Sequence, residues 1–264
     1  MKVKDNLVLL TWTIKPSWNL KDYWWYTAVE FRLKSYFNTL IYYITNSNFK
    51  YIVFCENSCY DFNKYSKILL KLAELYNKEI EILQYEWNHQ LSEKLWFWYW
   101  EWECIDYAFD NSKFFTKVDS FRKITWRYIY MNIDSIVIRS DNDDNLFFKN
   151  FSQVVWIFTW LFKVNKEVYK KYLYDIKKDI NLSTRFEWLY YDKLNWKKID
   201  FWRIHEIPNR VSSTIYDGKE INLRKIWIVW KFLFSIWQWN FSKKSIIYDN
   251  FIIGLMNMKH YIMH

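Results

Sequence analysis

Asn6-Leu7-Val8-Leu9-Leu10-Thr11-Trp12-Thr13-Ile14 is the stretch from which the rest of the chain is read. It is apolar without alternation, strand-length, and followed by Pro16, which marks a turn. A strand that buries both faces has this pattern, and such strands belong to parallel sheets covered by helices. Outward from it, Glu30 to Ile44 carries Phe31, Leu33, Phe37, Leu40, Ile41 and Ile44 at helical spacing, ended by Asn46-Ser47-Asn48. Tyr51 to Cys55 is a second short apolar strand. Asn63 to Tyr76 is an amphipathic helix through Ile68, Leu69, Leu72 and Leu75, and Glu79 to Tyr85 alternates as a third strand. Glu103 to Asn111 is helical, and Arg122 to Asn132 is a fourth strand region.

Strands and helices thus alternate over the first half, which implies an α/β domain: a mainly parallel sheet with helices on both faces. Ligands of such sheets bind beyond the carboxyl ends of the strands. The loops at 12–22, 55–61, 86–102 and 125–132 are therefore the ones to search. Past residue 140 the pattern loosens. Asp141 to Asp144 opens a loop, Asn165 to Ile180 reads as a Lys/Tyr-rich helix, and Phe186 to Leu194 as another short one. No internal repeat and no low-complexity linker divides the chain.

Composition holds an anomaly. The 264 residues include 19 Trp and only 2 Gly, Gly218 and Gly254. An average chain is about 7% Gly, or roughly 18 in this length. An α/β domain without glycine is hard to build, because turns and helix C-caps need a positive φ or a missing Cβ. The tryptophans stand where such features belong: Trp12 after the first strand, Trp18 after Pro16-Ser17, Trp87 after the third strand, and Trp196 after Asn195. With glycine, Asn195-Trp196 becomes an Asn-Gly turn. One reading accounts for both the surplus and the deficit: UGA codons decoded as glycine but written as tryptophan. A protein rich in Trp for stacking on sugars explains the surplus alone.

The net charge of +9 is spread through Lys-rich stretches, which suits phosphates or an anionic membrane face as well as a plain solvated surface. Cys55, Cys59 and Cys104 give no paired framework and no complete zinc spacing, so buried thiols in a reducing compartment are expected. The start, Met1 to Asp5, is charged, and no signal peptide is expected. Ile226 to Trp239 contains Lys231 and is too short to span a bilayer.

Three constellations are candidates for chemistry. Lys94 to Glu103 alternates Trp with other residues; read with glycine, it is a loop entering a helix at Glu103, where backbone N–H groups can approach a phosphate. Otherwise it is a flexible loop or an aromatic strand. Phe121 to Tyr128 sets Lys123 and Arg127 beside a strand-end turn, where Arg127 offers a bidentate fork to a diphosphate. A strand edge dressed in cations is the plain alternative. The carboxylates Glu56, Glu101, Asp143, Asp144 and Glu187 include a base for a hydroxyl acceptor if one exists, although single acids are mostly surface. The histidines are scattered, and no nucleophile-plus-base pattern is seen.

With glycine at the Trp positions, "LLTWTIKPSWNLK", "IVFCENSCYDF", "LWFWYWEWECIDYAF" and "KITWRYIYMNI" resemble successive motifs of probable glycosyltransferases of bacterial polysaccharide and lipopolysaccharide biosynthesis. "RFEWLYYDKL" and "IPNRVSSTIYDGK" are similar more loosely, so the resemblance spans about residues 7–220. It implies a single Rossmann-like nucleotide-diphospho-sugar transferase domain of the GT-A-like type. Residues 1–135 would be the nucleotide-sugar-binding half, and 136–264 the acceptor side with a C-terminal extension, in one continuous domain. Motif matches carry over Thr11, Thr13, Lys15, Glu56, Asn57, Ser58, Lys123 and Thr125 for the donor, with Glu187, Glu101 and Arg127 as catalytic residues. The metal-binding Asp-x-Asp of that fold is missing after the fourth strand. Asp141-Asn142-Asp143 has the spelling but lies well past it, so no metal ligand is assigned, and a Mg²⁺ or Mn²⁺ requirement is left open. Cations would then neutralise the leaving diphosphate.

The expected function is transfer of a sugar from a nucleotide-sugar to a cell-envelope glycan or lipid-linked acceptor, with no nucleic acid among the partners. The expected location is the cytoplasm, with peripheral contact at the inner membrane face left open. The rivals are a sugar nucleotidyltransferase, which needs a Mg²⁺-binding carboxylate pair, and a non-catalytic envelope-assembly protein.

The glycine reading has a direct test. The coding DNA is expected to carry UGA at most Trp positions, and UGG there would end the idea. The glycine-decoded chain is expected to melt cooperatively, and the literal 19-Trp chain to fold poorly, because bulk at left-handed or close-packed sites costs about 1–3 kcal/mol each.

Overall fold

The computed structural model describes residues 6–15, 29–87, 97–125, 128–139, 145–149, 157–180, 186–194 and 210–212. Its centre is β1 (Leu7–Trp12), whose six residues are all buried. β1 pairs in parallel on both sides: with β2 (Tyr51–Glu56) from Leu7↔Tyr51 to Trp12↔Glu56, and with β4 (Ser120–Thr125) from Val8↔Arg122 to Thr11↔Thr125. β2 pairs in parallel with β3 (Glu79–Gln84). Beyond β4 lies β7 (Ile157–Asn165), antiparallel to it, and then β6 (Leu146–Lys149), antiparallel to β7. The six-stranded order is β3-β2-β1-β4-β7-β6, and β7 alone runs against the rest. Two short strands, β5 (Tyr128–Tyr130) and β8 (Arg210–Ser212), form a separate antiparallel pair.

Alternation along β1 assigns its side chains to two cores. Val8, Leu10 and Trp12 pack with α1 (Val29–Asn46), α2 (Asn63–Leu75) and α4 (Ile133–Arg139) through Tyr36, Leu40, Leu69, Ala73, Ile133 and Val137. Leu7 and Leu9 face α3 (Phe97–Asn111) and α5 (Phe186–Leu194), with Trp102, Ile105, Phe121, Phe162 and Tyr190. Helices cover both faces, and the α/β class with a mainly parallel sheet is as the sequence implies.

Four differences from the sequence reading have physical causes. The aromatic stretch before Glu103 does not stay a loop up to that residue: α3 already begins at Phe97 and buries Trp100 and Trp102, Trp102 lying parallel to the Phe162 ring at 6.2 Å. Arg122 to Asn132 is not one strand; β4 stops at Thr125, β5 joins the second sheet, and α4 starts at Ile133. Asn165 both ends β7 and caps a short helical turn, its Oδ1 accepting the Glu167 N–H at 2.8 Å, but no continuous helix follows to Ile180. The chain then makes a helical turn at Lys166–Val168, a π turn at Tyr169–Leu173 and a 3₁₀ turn at Ile176–Asp179, anchored by buried Tyr169, Leu173 and Ile176. Strands β6 and β7 were not anticipated, and they extend the sheet across position 135. The expected turn at Pro16, the Trp18 and Asn195-Trp196 turns, the Asp141–Asp144 loop and the Ile226–Trp239 stretch lie outside the described residues.

Because Leu9 is buried at the middle of the central strand, Leu9→Ala is expected to cost about 2–5 kcal/mol. Urea unfolding monitored by circular dichroism would measure it.

Candidate functional site

The strand order reverses between β1 and β4: β2 and β3 lie on one side of β1, and β4 with the later strands on the other. Loops leaving two neighbouring strands in opposite directions open a crevice at their carboxyl ends. There β1 delivers Thr11 to Lys15, β2 delivers Glu56 to Ser58, and β4 ends on Thr125.

Glu56 is wholly buried and ties the first two loops together. Its Oε1 accepts the N–H of Ile14 at 3.0 Å, the N–H of Ser58 at 3.0 Å, and the Ser58 hydroxyl; Oε2 accepts the N–H of Tyr60 at 3.0 Å. Burial pushes its carboxyl above the ordinary range, and these donors pull it back in part. Thr13 donates its hydroxyl to Asn57 Oδ1 at 2.6 Å, while its carbonyl accepts from Arg32 Nε at 2.7 Å and the Tyr36 hydroxyl at 2.9 Å. The Lys15 N–H reaches Ser58 Oγ at 2.9 Å, and its exposed ammonium lies 5.5 Å from the centre of the Tyr60 ring. Thr11 is buried, opposite both Cys55 and Thr125 in register, and its hydroxyl has no hydrogen-bond partner among the described residues.

Under the β4 end sits a buried ion pair. Lys123 Nζ donates to Glu101 Oε1, to Thr125 Oγ1 at 2.5 Å and to the Thr159 carbonyl at 2.9 Å. Thr125 in turn donates to Glu101 Oε1 at 2.8 Å. Burial lowers the Lys123 pKa, and Glu101 opposes that shift. All three ammonium hydrogens have acceptors inside the protein, so Lys123 meets Glu101 rather than presenting a free cation at the rim. Glu101 reaches it from the second turn of α3.

The sequence-expected residues therefore fall into three groups. Thr11, Thr13, Lys15, Glu56, Asn57 and Ser58 gather at the carboxyl ends of β1 and β2. Glu101, Lys123 and Thr125 form one buried network. Glu187 lies in the first turn of α5, and Arg127 is outside the described residues. Arg32, Tyr36, Tyr60 and Thr159 were not anticipated; the spacing of Arg32 and Tyr36 on one face of α1 was the available signal, and Thr159 acts through its backbone. Among the described residues no group of three or more His, Cys, Asp or Glu side chains is arranged to hold a metal ion, and no helix is long and apolar enough to cross a membrane.

Three tryptophans crowd this end. Trp12, Trp87 and Trp100 are buried, Trp87 and Trp100 meet edge-on at 6.0 Å, and the Trp12 indole N–H has no acceptor among the described residues. The backbone around them is tied to Asn57, whose N–H donates to the Trp12 carbonyl at 3.2 Å and whose carbonyl accepts from the Trp87 N–H at 3.1 Å.

No protein-family model matches the chain, and no curated protein matches its sequence. Among solved structures it is similar to the glycosyltransferase GlyE of Streptococcus pneumoniae TIGR4, at 10% identity and a TM-score of 0.46 over 76% of this chain and 45% of that one. The apo form of the same glycosyltransferase gives 11% identity and a TM-score of 0.48 over 77% and 46%. The chain thus spans less than half the length of that protein.

Breaking the buried pair from one side leaves a stranded charge. Glu101→Leu alone is expected to cost about 3–5 kcal/mol, and pairing it with Lys123→Met to recover most of the loss. A double-mutant cycle in urea would measure the coupling.

Proposed function

We propose that the chain is a glycosyltransferase of the GT-A-like type, moving a sugar from a nucleotide-sugar to a cell-envelope glycan or lipid-linked acceptor. The observation that carries this reading is the polar cluster beside the switch point, where Thr11 to Lys15 and Glu56 to Ser58 meet at the carboxyl ends of parallel strands. In this reading the donor's base and sugar lie over those two loops, with Lys15 at the rim and Glu56 holding both loops in place from within.

Arg127, two residues beyond the end of β4, takes the charge of the departing diphosphate by a bidentate contact. Lys123, spent on Glu101, acts one layer below by fixing the β4 end on α3. Of the two expected bases, Glu187 is preferred, because the Glu101 carboxylate is buried and its Oε1 already accepts from Lys123 and Thr125. If a Mg²⁺ or Mn²⁺ ion takes part, Asp141 to Asp144 would supply its carboxylates. Glycine at Trp12, Trp87 and Trp100 also belongs to the proposal: three indoles leave the crevice, and their space becomes available to the donor. Nothing observed favours a nucleotidyltransferase or a non-catalytic role over this reading.

Incubation with a panel of nucleotide-sugars tests it: nucleotide diphosphate release supports the transferase, pyrophosphate release a nucleotidyltransferase, and neither leaves a binding protein. A nucleoside diphosphate is expected to raise the Tm of the glycine-decoded chain by mass action. Arg127→Ala is expected to cut turnover by about 10²–10³, as for loss of one preorganised charge-stabilising donor. Arg127→Lys should recover only part of that, and the acceptor KM should hold nearly constant. Activity abolished by chelation, with Arg127→Ala silent, would move the charge-stabilising role to a metal.

A further inference from the structure

The exposed apolar side chains of this protein are not scattered. Among the described residues the large exposed ones are Ile41, Ile68, Leu70, Leu75, Tyr76, Ile138 and Tyr174. All but Tyr174 belong to the helical layer on one face of the sheet: Ile41 on α1, Ile68, Leu70 and Leu75 on α2, Tyr76 just after it, and Ile138 on α4. Scattered single apolar residues need no explanation, but a concentration on one side does.

The outer face of α2 has a definite order. Its inner face is used up by Leu69 and Ala73, which are buried. Ile68 and Leu75 are 64% and 78% exposed and seven residues apart, so they share one stripe along the helix. Lys67 and Lys71, four apart and both exposed, form the adjoining stripe, and Lys71 lies within a turn of both aliphatic residues. The helix carries Lys64, Lys67 and Lys71 against a single acid, Glu74. α1 packs alongside, with Phe37 edge-on to Tyr65 at 4.5 Å, and adds exposed Lys34 and Ile41 to this layer, with Glu30 at its start. An aliphatic stripe bordered by a lysine stripe is the arrangement of helices that lie in a membrane interface.

We propose that the outer face of α2, supported by α1, docks this protein on a bilayer surface rich in anionic headgroups. Charge complementarity selects that occupant over a second copy of the chain, since a two-fold contact through this face would set the lysine stripe against itself. The aliphatic stripe enters the headgroup boundary and the lysines meet the lipid phosphates. The proposal rests on the transferase reading for its purpose, a membrane-borne acceptor, and on α2 for its support. α2 contains no tryptophan, so the decoding of UGA does not affect it.

Co-sedimentation of the full chain with phosphatidylcholine vesicles, with and without phosphatidylglycerol, tests the docking face. Binding is expected to the anionic vesicles, to weaken with salt, and to be slight without phosphatidylglycerol. Ile68→Ser with Leu75→Ser is expected to reduce binding about tenfold, and Lys67→Glu with Lys71→Glu to remove its salt dependence. These exposed substitutions should leave the Tm and vesicle-free hydrolysis of the nucleotide-sugar unchanged. Equal binding to neutral vesicles, unaltered binding by both double variants, or a concentration-dependent dimer abolished by Ile68→Ser with Leu75→Ser would each overturn the proposal. Vesicle binding lost while nucleotide release persists would condemn only the docking face; the converse would condemn only the transferase reading.

Discussion

β1 has no free side. Strands flank it on both edges and apolar layers cover it on both faces, so each of its six residues is buried. This constraint propagates outward. A side chain on β1 must match helix α1 or α2 on one face and α3 on the other, and the parallel pairing forces each return crossing through a helix. The order of strands reverses on the β4 side of β1, and on the other side the loops after β1 and β2 meet.

Two arrangements of buried charged groups stabilise that end in different ways. Glu56 needs no cation, because four donors from three residues converge on its carboxylate. It joins two loops that are more than forty residues apart in sequence. Lys123 and Glu101 instead neutralise one another and share Thr125, tying β4 to α3. Both arrangements satisfy buried polar groups that would otherwise weaken the fold. Both also tie the carboxyl edge together from below, with Lys15 exposed at its rim.

The tryptophans show how strongly tertiary packing reshapes a local pattern. As written, the alternating aromatics of 96–102 suit a strand or, with glycine, a loop. In the fold residues 97–102 are part of α3, where the indole at 102 packs against Phe162, Tyr169 and Tyr190. Trp12 fills the end of the sheet against Tyr36 and Phe54, and its N–H, like that of Trp102, finds no hydrogen-bond acceptor among the described residues.

Much of this architecture was legible in the residues alone. The unbroken apolar run at Leu7 to Leu10, the helical spacing of Phe37, Leu40 and Ile44, and the alternation at Glu79 to Tyr85 each reflect a local period, and they were enough to define the first five elements and the class. The same order pointed to the loops at Thr11 to Lys15 and Glu56 to Ser58. What those side chains do to one another was not legible, because contacts such as Ile14 to Glu56 or Lys123 to Glu101 join residues far apart in sequence and leave no periodic trace. Strands β6 and β7 escaped for a related reason: β7 runs antiparallel at the far side of β4, after a region of weak pattern, and only its pairing with Phe121 to Ile124 identifies it. Sequence determined which segments are strands and helices wherever burial is periodic. Tertiary structure alone decided which polar groups are consumed inside the fold, because satisfying a buried charge depends on what the folded chain brings beside it.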